Sequence, residues 1–373
     1  MRDWLTPQRL DKYPDVVVNL MADVETKIIA DMAQRINAQD YFNTSTQWQY
    51  IKLREMGLLR ADVEKRLSAA TGKSLRQIKR LMKEVCVNSL QSDDNIYRSQ
   101  GLDFPSFTES VAVHAAIDNA LMKTNKTFKN ITGTTANTAM RQFENALDDA
   151  WLQVSSGAFS HTEAVRNTIK DLAKKGLYVI HYKSGHQDQL DVAVRRAVLT
   201  GLNQTAAEGR LARAEELGCE LVETTAHSGA RPTHEVWQGK VFSIDGTNLD
   251  YPDFRKTTGY GTGPGLCGWN CRHSFHPFFE GMAPTYTEDD LNEYNAKKYT
   301  YNGEKLTEYE ATQKQRYIER QIRRWKRELK AMDAAGLDTT ESLSKLKKWY
   351  NTEKDFLSQT GLKKQIDRTR IEV

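Results

Sequence analysis

The chain has 373 residues, and its 53 lysines and arginines nearly balance 49 aspartates and glutamates. The formal net charge of +4 is small for this length. An overall basic surface for nucleic acid is therefore not expected, and any binding of nucleic acid must rely on a local basic patch. With 39% hydrophobic and 27% charged residues, the composition is that of a soluble globular protein and excludes collagen-like and disordered classes. Four cysteines are too few for a disulfide-rich secreted domain and fit a reducing cytosol.

The first residues, "MRDWLTPQRLDKYPDVVV", carry charges throughout and lack the apolar core of a signal peptide. No stretch approaches the roughly 18 apolar residues that are needed to cross a bilayer. We therefore expect a protein that is made in the cytoplasm and has no membrane partner.

The region 1–154 is predicted to be helical. Apolar residues recur at helical spacing from Val16 to Ile36. The later stretch "MGLLRADVEKRLSAATGKSLRQIKRLMKEV" predicts two short helices, with a break at Thr71 and Gly72 and a helix N-cap at Ser74. This pair favours a plain helical hairpin, with a DNA-binding helix-turn-helix as the alternative.

Two polar stretches are predicted to interrupt the helices of this region. "SDDNIYRSQGLDFPSF" (92–107) contains glycine and proline and predicts a connection, and "NKTFKNITGTTANT" (125–138) predicts a loop. Helices are expected on both sides of the loop, and a further helix is expected to end at Gly176.

The region 155–283 predicts a compact α+β domain. "LYVIHY", "CELVETTAH", "KVFSI" and "RHSFHPF" are short and rich in β-branched or aromatic residues, which favours strands. A long helix is expected between the first two, from about Gln189 to Leu217. The chain is therefore assigned to the α+β class.

The region 284–373 predicts a C-terminal helical hairpin. Ile318, Ile322, Trp325, Leu329 and Met332 follow a spacing of 4, 3, 4 and 3 residues, which forms one apolar helical stripe. A second helix is expected after Gly336, with an apolar side formed by Leu343, Leu346, Tyr350 and Leu357.

Half of the chain's twelve cysteines and histidines lie between His227 and His276. His227, His234, Cys267 and Cys271 would complete a tetrahedral structural zinc site, and no other cofactor is expected. Three residues separate the two cysteines, one more than in a zinc knuckle, which favours the alternative of a hydrogen-bonded polar core with buried thiols. In an extended segment His273 and His276 point to opposite faces, so we do not expect them to bind the same ion.

A catalytic role for this segment is a weaker alternative. The stretch "HSGARPTHEVWQGK" would suit a metal-dependent hydrolase whose histidine activates water, and Cys271 with His273 or His276 would suit a nucleophile pair. No carboxylate pair accompanies them at suitable spacing, so no catalytic residue is predicted and the protein is not expected to be an enzyme.

The glycine-rich stretch "TTGYGTGPGLCG" lacks the Lys-Ser/Thr ending of a phosphate-binding loop. Glycines permit positive φ angles and close approach of backbone segments. The stretch therefore predicts a tightly turned loop, which Arg231 and Arg272 would clamp through their guanidinium groups.

The stretch "KQRYIERQIRRWKRELK" holds eight basic residues against two acids. One broad face of this helix would reach DNA phosphates, although a solvated helix surface is the favoured interpretation. The DNA-binding candidates are Lys314, Arg316, Arg320, Arg323, Arg324, Lys326, Arg327 and Lys330.

Several long segments of the chain resemble the phage minor capsid protein 2 family, which belongs with the phage Mu F-like head morphogenesis proteins. They include "YKSGHQDQLDVAVRRAVLTGLNQTA", "ELGCELVETTAHSGARPTHEVWQGKVFSIDG", "TTGYGTGPGLCGWNCRHSFHPFFEG" and "YTYNGEKLTEYEATQKQRYIERQIRRWKRELKA". The resemblance covers most of the chain. The residues that match the family's signature are His227, Arg231, Pro232, His234, Trp237, Gly239, Cys267, Asn270, Cys271, Arg272, His273 and Pro277.

This resemblance implies a structural minor protein of a tailed-phage or prophage head. Such a protein would be made in the host cytoplasm, would reside in the virion, and would act in head assembly near the portal. The implied partners are the portal protein and the major capsid protein, with packaged DNA as a further contact. No catalytic residue is carried over, and the signature residues are expected to brace the α+β domain by bringing segments 227–239 and 267–278 together.

Overall fold

The computed structural model describes residues 5–104, 106, 109–180 and 187–371. The helices are α1 (Pro7–Lys12), α2 (Asp15–Asn37), α3 (Ser45–Ser99), α4 (Val111–Ser155), α5 (His161–Lys175), α6 (Leu190–Glu216), α7 (Pro232–Glu235), α8 (Phe254–Thr258), α9 (Glu288–Tyr294), α10 (Glu308–Ala334) and α11 (Thr340–Thr360). A 3₁₀ turn at Ile366–Thr369 follows them. The strands are β1 (Tyr178–Ile180), β2 (Gln187–Gln189), β3 (Leu221–Thr224), β4 (Val241–Ser243), β5 (Phe275–Phe278), β6 (Tyr299–Tyr301) and β7 (Glu304–Leu306).

The described strands form three small antiparallel sheets in a mostly helical chain, which confirms the α+β class. The largest sheet has the order β4-β3-β5, and Val222 of β3 lies opposite Phe242 on one side and Pro277 on the other. Pro277 has no N–H to give to the ladder and stands in a strand at the edge of the sheet, where proline is tolerated. Three of the four predicted strands thus form one sheet. For the fourth, "LYVIHY", His181 and Tyr182 lie outside the described residues.

One compact unit of the chain comprises Met1–Asp15, Leu75–Thr127 and Arg195–Gln313. Its core lies between the three-stranded sheet and α6, where Ala207 packs with Val222, Phe242 and Phe275. Burial of these apolar side chains is the main favourable contribution to folding.

The other unit comprises Val16–Ser74, Phe128–Val194 and Lys314–Val373. Both units are assembled from segments that are distant in the sequence. The three consecutive regions 1–154, 155–283 and 284–373 therefore stay a prediction.

The C-terminal helical hairpin is formed by α10 and α11, as predicted. The apolar stripe of α10 is buried along its whole length, from Ile318 to Met332. On α11, however, Leu343 is half exposed, so its predicted inward position was wrong. The adjacent Ser342 points inward instead, because its hydroxyl donates a 2.8 Å hydrogen bond to the buried Glu328 carboxylate.

The predicted break at Thr71 and Gly72 was wrong, because α3 runs unbroken through these residues and Ser74. Ser74 is buried in the helix and is not an N-cap. A glycine inside a helix costs only about 1 kcal/mol, and the apolar periodicity continues on both sides of it. The helix-turn-helix alternative is excluded by the same continuity. The predicted connection is also shorter than expected, because α3 extends to Ser99.

The stretch 125–138 is helical as well, within α4. Its threonines do not break the helix, because their hydroxyls donate to carbonyl oxygens one turn earlier, as Thr135 does to Ile131 at 2.8 Å. The hairpin of β6 and β7 was not predicted, although its turn, Asn302-Gly303, is a strong hairpin signal. Both turn residues have positive φ angles, 49° and 80°.

A buried ion pair ties α3 and α6 to the approach to β5. The Arg210 guanidinium donates to both carboxylate oxygens of Asp93, at 2.7 and 3.2 Å, and also to the hydroxyl of Ser274. Arg210 and Asp93 are each 2% exposed. Burying two charges costs free energy, and good geometry with further hydrogen bonds offsets that cost.

We predict that Arg210→Met lowers the free energy of unfolding by about 3–5 kcal/mol, because it leaves the Asp93 charge buried and unpaired. Asp93→Leu should have a similar effect, and the double variant should lose much less than the sum of the two. Urea denaturation of the four proteins measures this coupling. Arg98, whose exposed side chain lies 3.9 Å from Asp94, is the matched control, and Arg98→Met should cost less than about 1 kcal/mol. Additive losses in the double variant would contradict the prediction.

Candidate metal centre

The segments 227–239 and 267–278 lie against each other, which confirms that sequence-based expectation. Arg231 donates a 2.5 Å hydrogen bond to the Trp269 carbonyl oxygen, and the ring nitrogens of His234 and His273 meet at their centre. His234 comes from the short helix α7, which Pro232 begins without loss of a hydrogen bond, because the first N–H groups of a helix are unpaired in any case. His273 lies two residues before β5.

Three potential metal ligands converge at this point. Nδ1 of His234 and Nδ1 of His273 are 3.4 Å apart, and Sγ of Cys271 is 3.7 Å from each of them. The three side chains are only 1–2% exposed. Among the described residues, this is the one group of cysteine, histidine and acidic side chains found with the spacing of a metal site.

Hydrogen bonds on the far side of each imidazole determine which nitrogen carries the proton. Nε2 of His234 lies 2.8 Å from the carbonyl oxygen of Pro264, which only accepts, so Nε2 must be the protonated nitrogen. Nε2 of His273 lies 3.0 Å from Oε1 of Gln238. The same oxygen accepts the backbone N–H of His227 at 3.2 Å, so the amide cannot be reversed and His273 must also donate through Nε2.

In its neutral form each imidazole then presents an unprotonated Nδ1 to Cys271, and burial favours the neutral form. Burial lowers the pKa of His234 to about 4. Burial, and then the neighbouring His227 and His234, lower the pKa of His273 well below its ordinary value of 6.5. Burial also raises the pKa of the Cys271 thiol, because a thiolate is poorly solvated inside the protein.

The loop that presents Cys271 depends on close backbone packing. A side chain at Gly265 would put its Cβ atom 2.0 Å from the Gly259 carbonyl oxygen, and one at Gly268 would reach 2.2 Å from that of Gly263. Only glycine fits at these positions. Cys267 and Asn270 both adopt positive φ angles, 56° and 54°, which is uncommon for residues with a side chain.

Asn203 of α6 then fixes the two residues on either side of Arg272. Its buried side-chain amide donates to the carbonyl oxygens of Cys271 and His273, at 3.2 and 2.9 Å. The guanidinium of Arg231 donates to the carbonyl oxygen of Trp269, the residue directly after the glycine-rich stretch. Arg272 pairs with the Asp11 carboxylate at 2.8 Å, outside the glycine-rich stretch.

The other predicted ligands flank the three converging side chains. The Sγ atom of Cys267 is buried and lies 3.7 Å from the His273 carbonyl oxygen. The ring of His227 stacks on that of His273 with 4.2 Å between centroids, and its Nδ1 hydrogen-bonds to the Ser228 carbonyl oxygen at 2.8 Å. Of the four predicted ligands, the structure thus places His234 and Cys271 together and adds His273 to them.

The remaining signature residues support this arrangement. The buried indole of Trp237 packs on the His234 ring at 4.6 Å between centroids. Gly239 has a φ angle of 67°, and a Cβ atom there would lie 2.9 Å from the Leu291 side chain. These contacts give both positions a packing role.

His276 points away from the three converging side chains, as the strand alternation predicted. Its Nε2 lies 3.1 Å from the Glu223 carboxylate of β3. That carboxylate also accepts hydrogen bonds from the backbone N–H and the hydroxyl of Thr285, at 2.7 and 2.8 Å. This second polar cluster attaches the chain beyond β5 to the sheet.

Sequence reasoning did not identify Gln238, Asn203 or Arg210. For Asn203 and Arg210 of α6, the sequence did carry a signal. They are polar residues seven positions apart on one helix, and Ala206 and Ala207 between them are buried. A long polar side chain on a core-facing row must be satisfied by a partner. For Gln238, no local pattern indicates the role.

The basic stretch 314–330 lies on α10. Three of its candidates contact oxygen atoms of distant residues, and Arg324 lies over the ring of Trp325 at 4.6 Å. Arg323 pairs with Asp191 at 2.9 Å, and Lys326 donates to the Thr369 carbonyl oxygen at 2.9 Å. Arg327 is 1% exposed and lies 3.8 Å from the buried Glu25 carboxylate. Arg320 is exposed, whereas the other candidates, Lys314, Arg316, Arg324 and Lys330, are half-buried.

Comparison with known proteins places this chain among phage structural proteins. Residues 5–358 match the family model described as phage minor capsid protein 2. A "Structural protein" of Lactococcus phage LL-H is 30% identical over 206 residues, which is 54% of this chain and 53% of that protein. A "Structural protein" of Lactococcus phage mv4 is 31% identical over 116 residues, 30% of this chain and 86% of that protein.

The chain thus spans about half the length of the LL-H protein it matches. No solved structure matches the chain at a significant level. Within the residues that the structure describes, none of the helices has a segment that would cross a membrane.

We predict that Glu223→Gln lowers the free energy of unfolding by about 2 kcal/mol near neutral pH. Burial by itself raises the pKa of Glu223, but the hydrogen bonds from His276 and Thr285 outweigh it and lower the pKa below 4.5. A carboxyl group with a lowered pKa stabilises the fold above that ordinary value, and the stabilisation is lost as the pH falls through the lowered pKa. The difference between the two proteins should therefore narrow below pH 4.5.

Chemical denaturation at a series of pH values measures this difference. Glu220→Gln, at an exposed position of the same segment, is the matched control and should change stability little at any pH. A difference for Glu223→Gln that stays constant down to the acid limit of the fold would contradict the assignment.

Proposed function

Because the chain belongs to the phage minor capsid protein 2 family, we propose that it acts in head assembly near the portal of a tailed phage or prophage. The observation that carries this proposal is the family match, which extends over residues 5–358. Both similar phage proteins are named as structural proteins. A structural protein of a phage resides in the virion, and the head is the part of the virion that a minor capsid protein would occupy.

The burial of the signature residues supports a bracing role for them. His234, Trp237, Cys271 and His273 are at most 3% exposed, so a substrate has no access to their reactive atoms. Catalytic groups need contact with a substrate, usually in a concave site. Burial of this kind favours a structural protein over a metal-dependent hydrolase.

We further propose the portal protein and the major capsid protein as partners. The small net charge of +4 leaves recognition to local surfaces, because the overall field of the protein steers neither acidic nor basic partners strongly.

We predict that the protein is found in purified heads, in far fewer copies than the major capsid protein, and that it co-purifies with the portal protein. Mass spectrometry of separated head and tail fractions measures the first property. A pull-down with tagged portal protein measures the second, with a tail protein as the matched control bait. Recovery of the chain only in tails, or only outside particles, would overturn the proposal.

Contact with packaged DNA through α10 is a second candidate function. Arg323, Lys326 and Arg327 make internal contacts, so a contact with phosphate would fall to the rest of the basic stretch. The exposed Arg320 and the half-buried Arg316 and Arg324 are the arginines left for it. Fewer basic residues are therefore available for DNA contact than the eight that the sequence suggested.

We predict that replacing Arg316, Arg320 and Arg324 together by glutamine weakens DNA binding and flattens its salt dependence. Each phosphate contact contributes about 0.9 to the slope of log K against log salt, so the slope should decrease by up to about 3. Fluorescence anisotropy with duplex DNA at several salt concentrations measures this slope. Arg323→Gln is the control, since it should lower stability without changing the slope. Binding by the triple variant with an unchanged slope would exclude α10 as the DNA contact.

A further inference from the structure

We propose that His234, Cys271 and His273 bind one structural zinc ion through two imidazole nitrogens and a thiolate. The proposal is independent of where in the virion the protein acts.

The first argument is the orientation of the two imidazoles. Their outer nitrogens donate to the Pro264 carbonyl oxygen and to Gln238. The inner nitrogens therefore carry lone pairs that face each other at 3.4 Å. Two lone pairs at this distance repel each other unless a cation or a shared proton lies between them. A metal ion satisfies both lone pairs.

The second argument is the size of the triangle. Zinc binds imidazole nitrogen at about 2.0–2.1 Å and thiolate at about 2.3 Å in a tetrahedral arrangement. These lengths place two nitrogens about 3.4 Å apart and a nitrogen and a sulfur about 3.6 Å apart. The observed separations are 3.4 Å for the nitrogens and 3.7 Å for each nitrogen–sulfur pair, so an ion fits without rearrangement of these side chains.

The third argument is the second shell of hydrogen bonds. Histidines that bind metals nearly always donate their other N–H to a carbonyl or carboxylate oxygen, which fixes the tautomer and the ring orientation. His234 and His273 both do so here. A hydrogen-bonded polar core does not require both imidazoles to donate through Nε2 and to turn Nδ1 towards the same point.

The ligand set selects the metal and its role. One thiolate with two imidazoles suits zinc, whereas magnesium and calcium prefer oxygen ligands. All three side chains are 1–2% exposed, which fits a closed structural site better than a catalytic one that must admit substrate. On binding, the Cys271 thiol releases its proton to solvent and the sulfur donates as a thiolate.

A tetrahedral ion takes a fourth ligand. Cys267 and His227 are nearby donors, but they lie outside the group of ligand atoms within 4.8 Å of one another, so either would have to move to bind the ion. The Cys267 thiol is buried 3.7 Å from the His273 carbonyl oxygen. Nε2 of His227 is buried and has no hydrogen-bond partner among the described residues. The ion would join α7 to the approach to β5 and would close the long segment between them.

The test is the metal content of the full chain after removal of any affinity tag, by inductively coupled plasma mass spectrometry. We expect about one zinc ion per chain in the wild type, and less than about a tenth of that in Cys271→Ser and His273→Ala. Cys219→Ser and His276→Gln are the matched controls. They remove a buried thiol and a buried imidazole outside the site and should keep the zinc.

A second measurement decides the matter if the ligand variants fail to fold. Wild-type protein is stripped with a chelator and titrated with Co²⁺, and the absorption spectrum reports the ligands. Thiolate-to-cobalt charge transfer together with tetrahedral d–d bands supports the proposal. A wild type that carries no zinc and binds neither added Zn²⁺ nor Co²⁺ overturns it. Zinc retained at the wild-type level by both Cys271→Ser and His273→Ala overturns it as well.

Gln238 offers a test of the second shell. Gln238→Leu removes the acceptor for His273 and should weaken zinc binding about 10–100-fold, whereas Gln238→Glu keeps an acceptor and should restore most of the affinity. Competition with a chromophoric zinc chelator measures these affinities. Equal zinc affinities for Gln238→Leu and the wild type would contradict the claim that Gln238 orients His273 for metal binding.

Discussion

A row of polar side chains on one face of α6 determines the course of the chain around the candidate metal centre. Asn203 holds the carbonyl oxygens of Cys271 and His273, and Arg210, two turns further on, holds Ser274 and the buried Asp93. Backbone carbonyls buried without a partner would cost about 1–3 kcal/mol each. The helix therefore fixes the position of the strand that enters the sheet, and with it the direction of the Cys271 and His273 side chains.

The small size of the sheet explains why such constraints are needed. Its strands β3, β4 and β5 have only four, three and four residues, and short strands contribute few ladder hydrogen bonds. Residues 244–274 lie between β4 and β5 and contain little regular structure beyond the five-residue α8. This segment is held by glycine contacts, the Arg231 hydrogen bond and the histidine–cysteine cluster. These contacts stabilise it where a larger sheet is absent.

The sequence predicted those parts of the fold whose signals are local and regular. The apolar stripe of α10 and the strands β3 to β5 follow from side-chain periodicity alone. The breaks predicted in α3 and α4 were wrong because glycine and threonine were given more weight than the apolar positions on either side of them. At the candidate site, the clustering of histidines, cysteines and arginines in two segments predicted that these segments meet. The tautomers could not be predicted, because Pro264 and Gln238 act through a carbonyl position and an amide orientation that exist only in the folded chain.

The same contacts connect the site to the structural role of the family. A catalytic site keeps its reactive atoms accessible, which leaves polar groups unsatisfied until substrate binds. Here the nitrogen of each imidazole that faces away from Cys271 is already bonded within the protein, and both rings are at most 2% exposed. Each of these donors thus holds one segment of the chain against another. Such internal cross-links hold the long segment before β5 in place, since a short sheet alone would allow that segment to open.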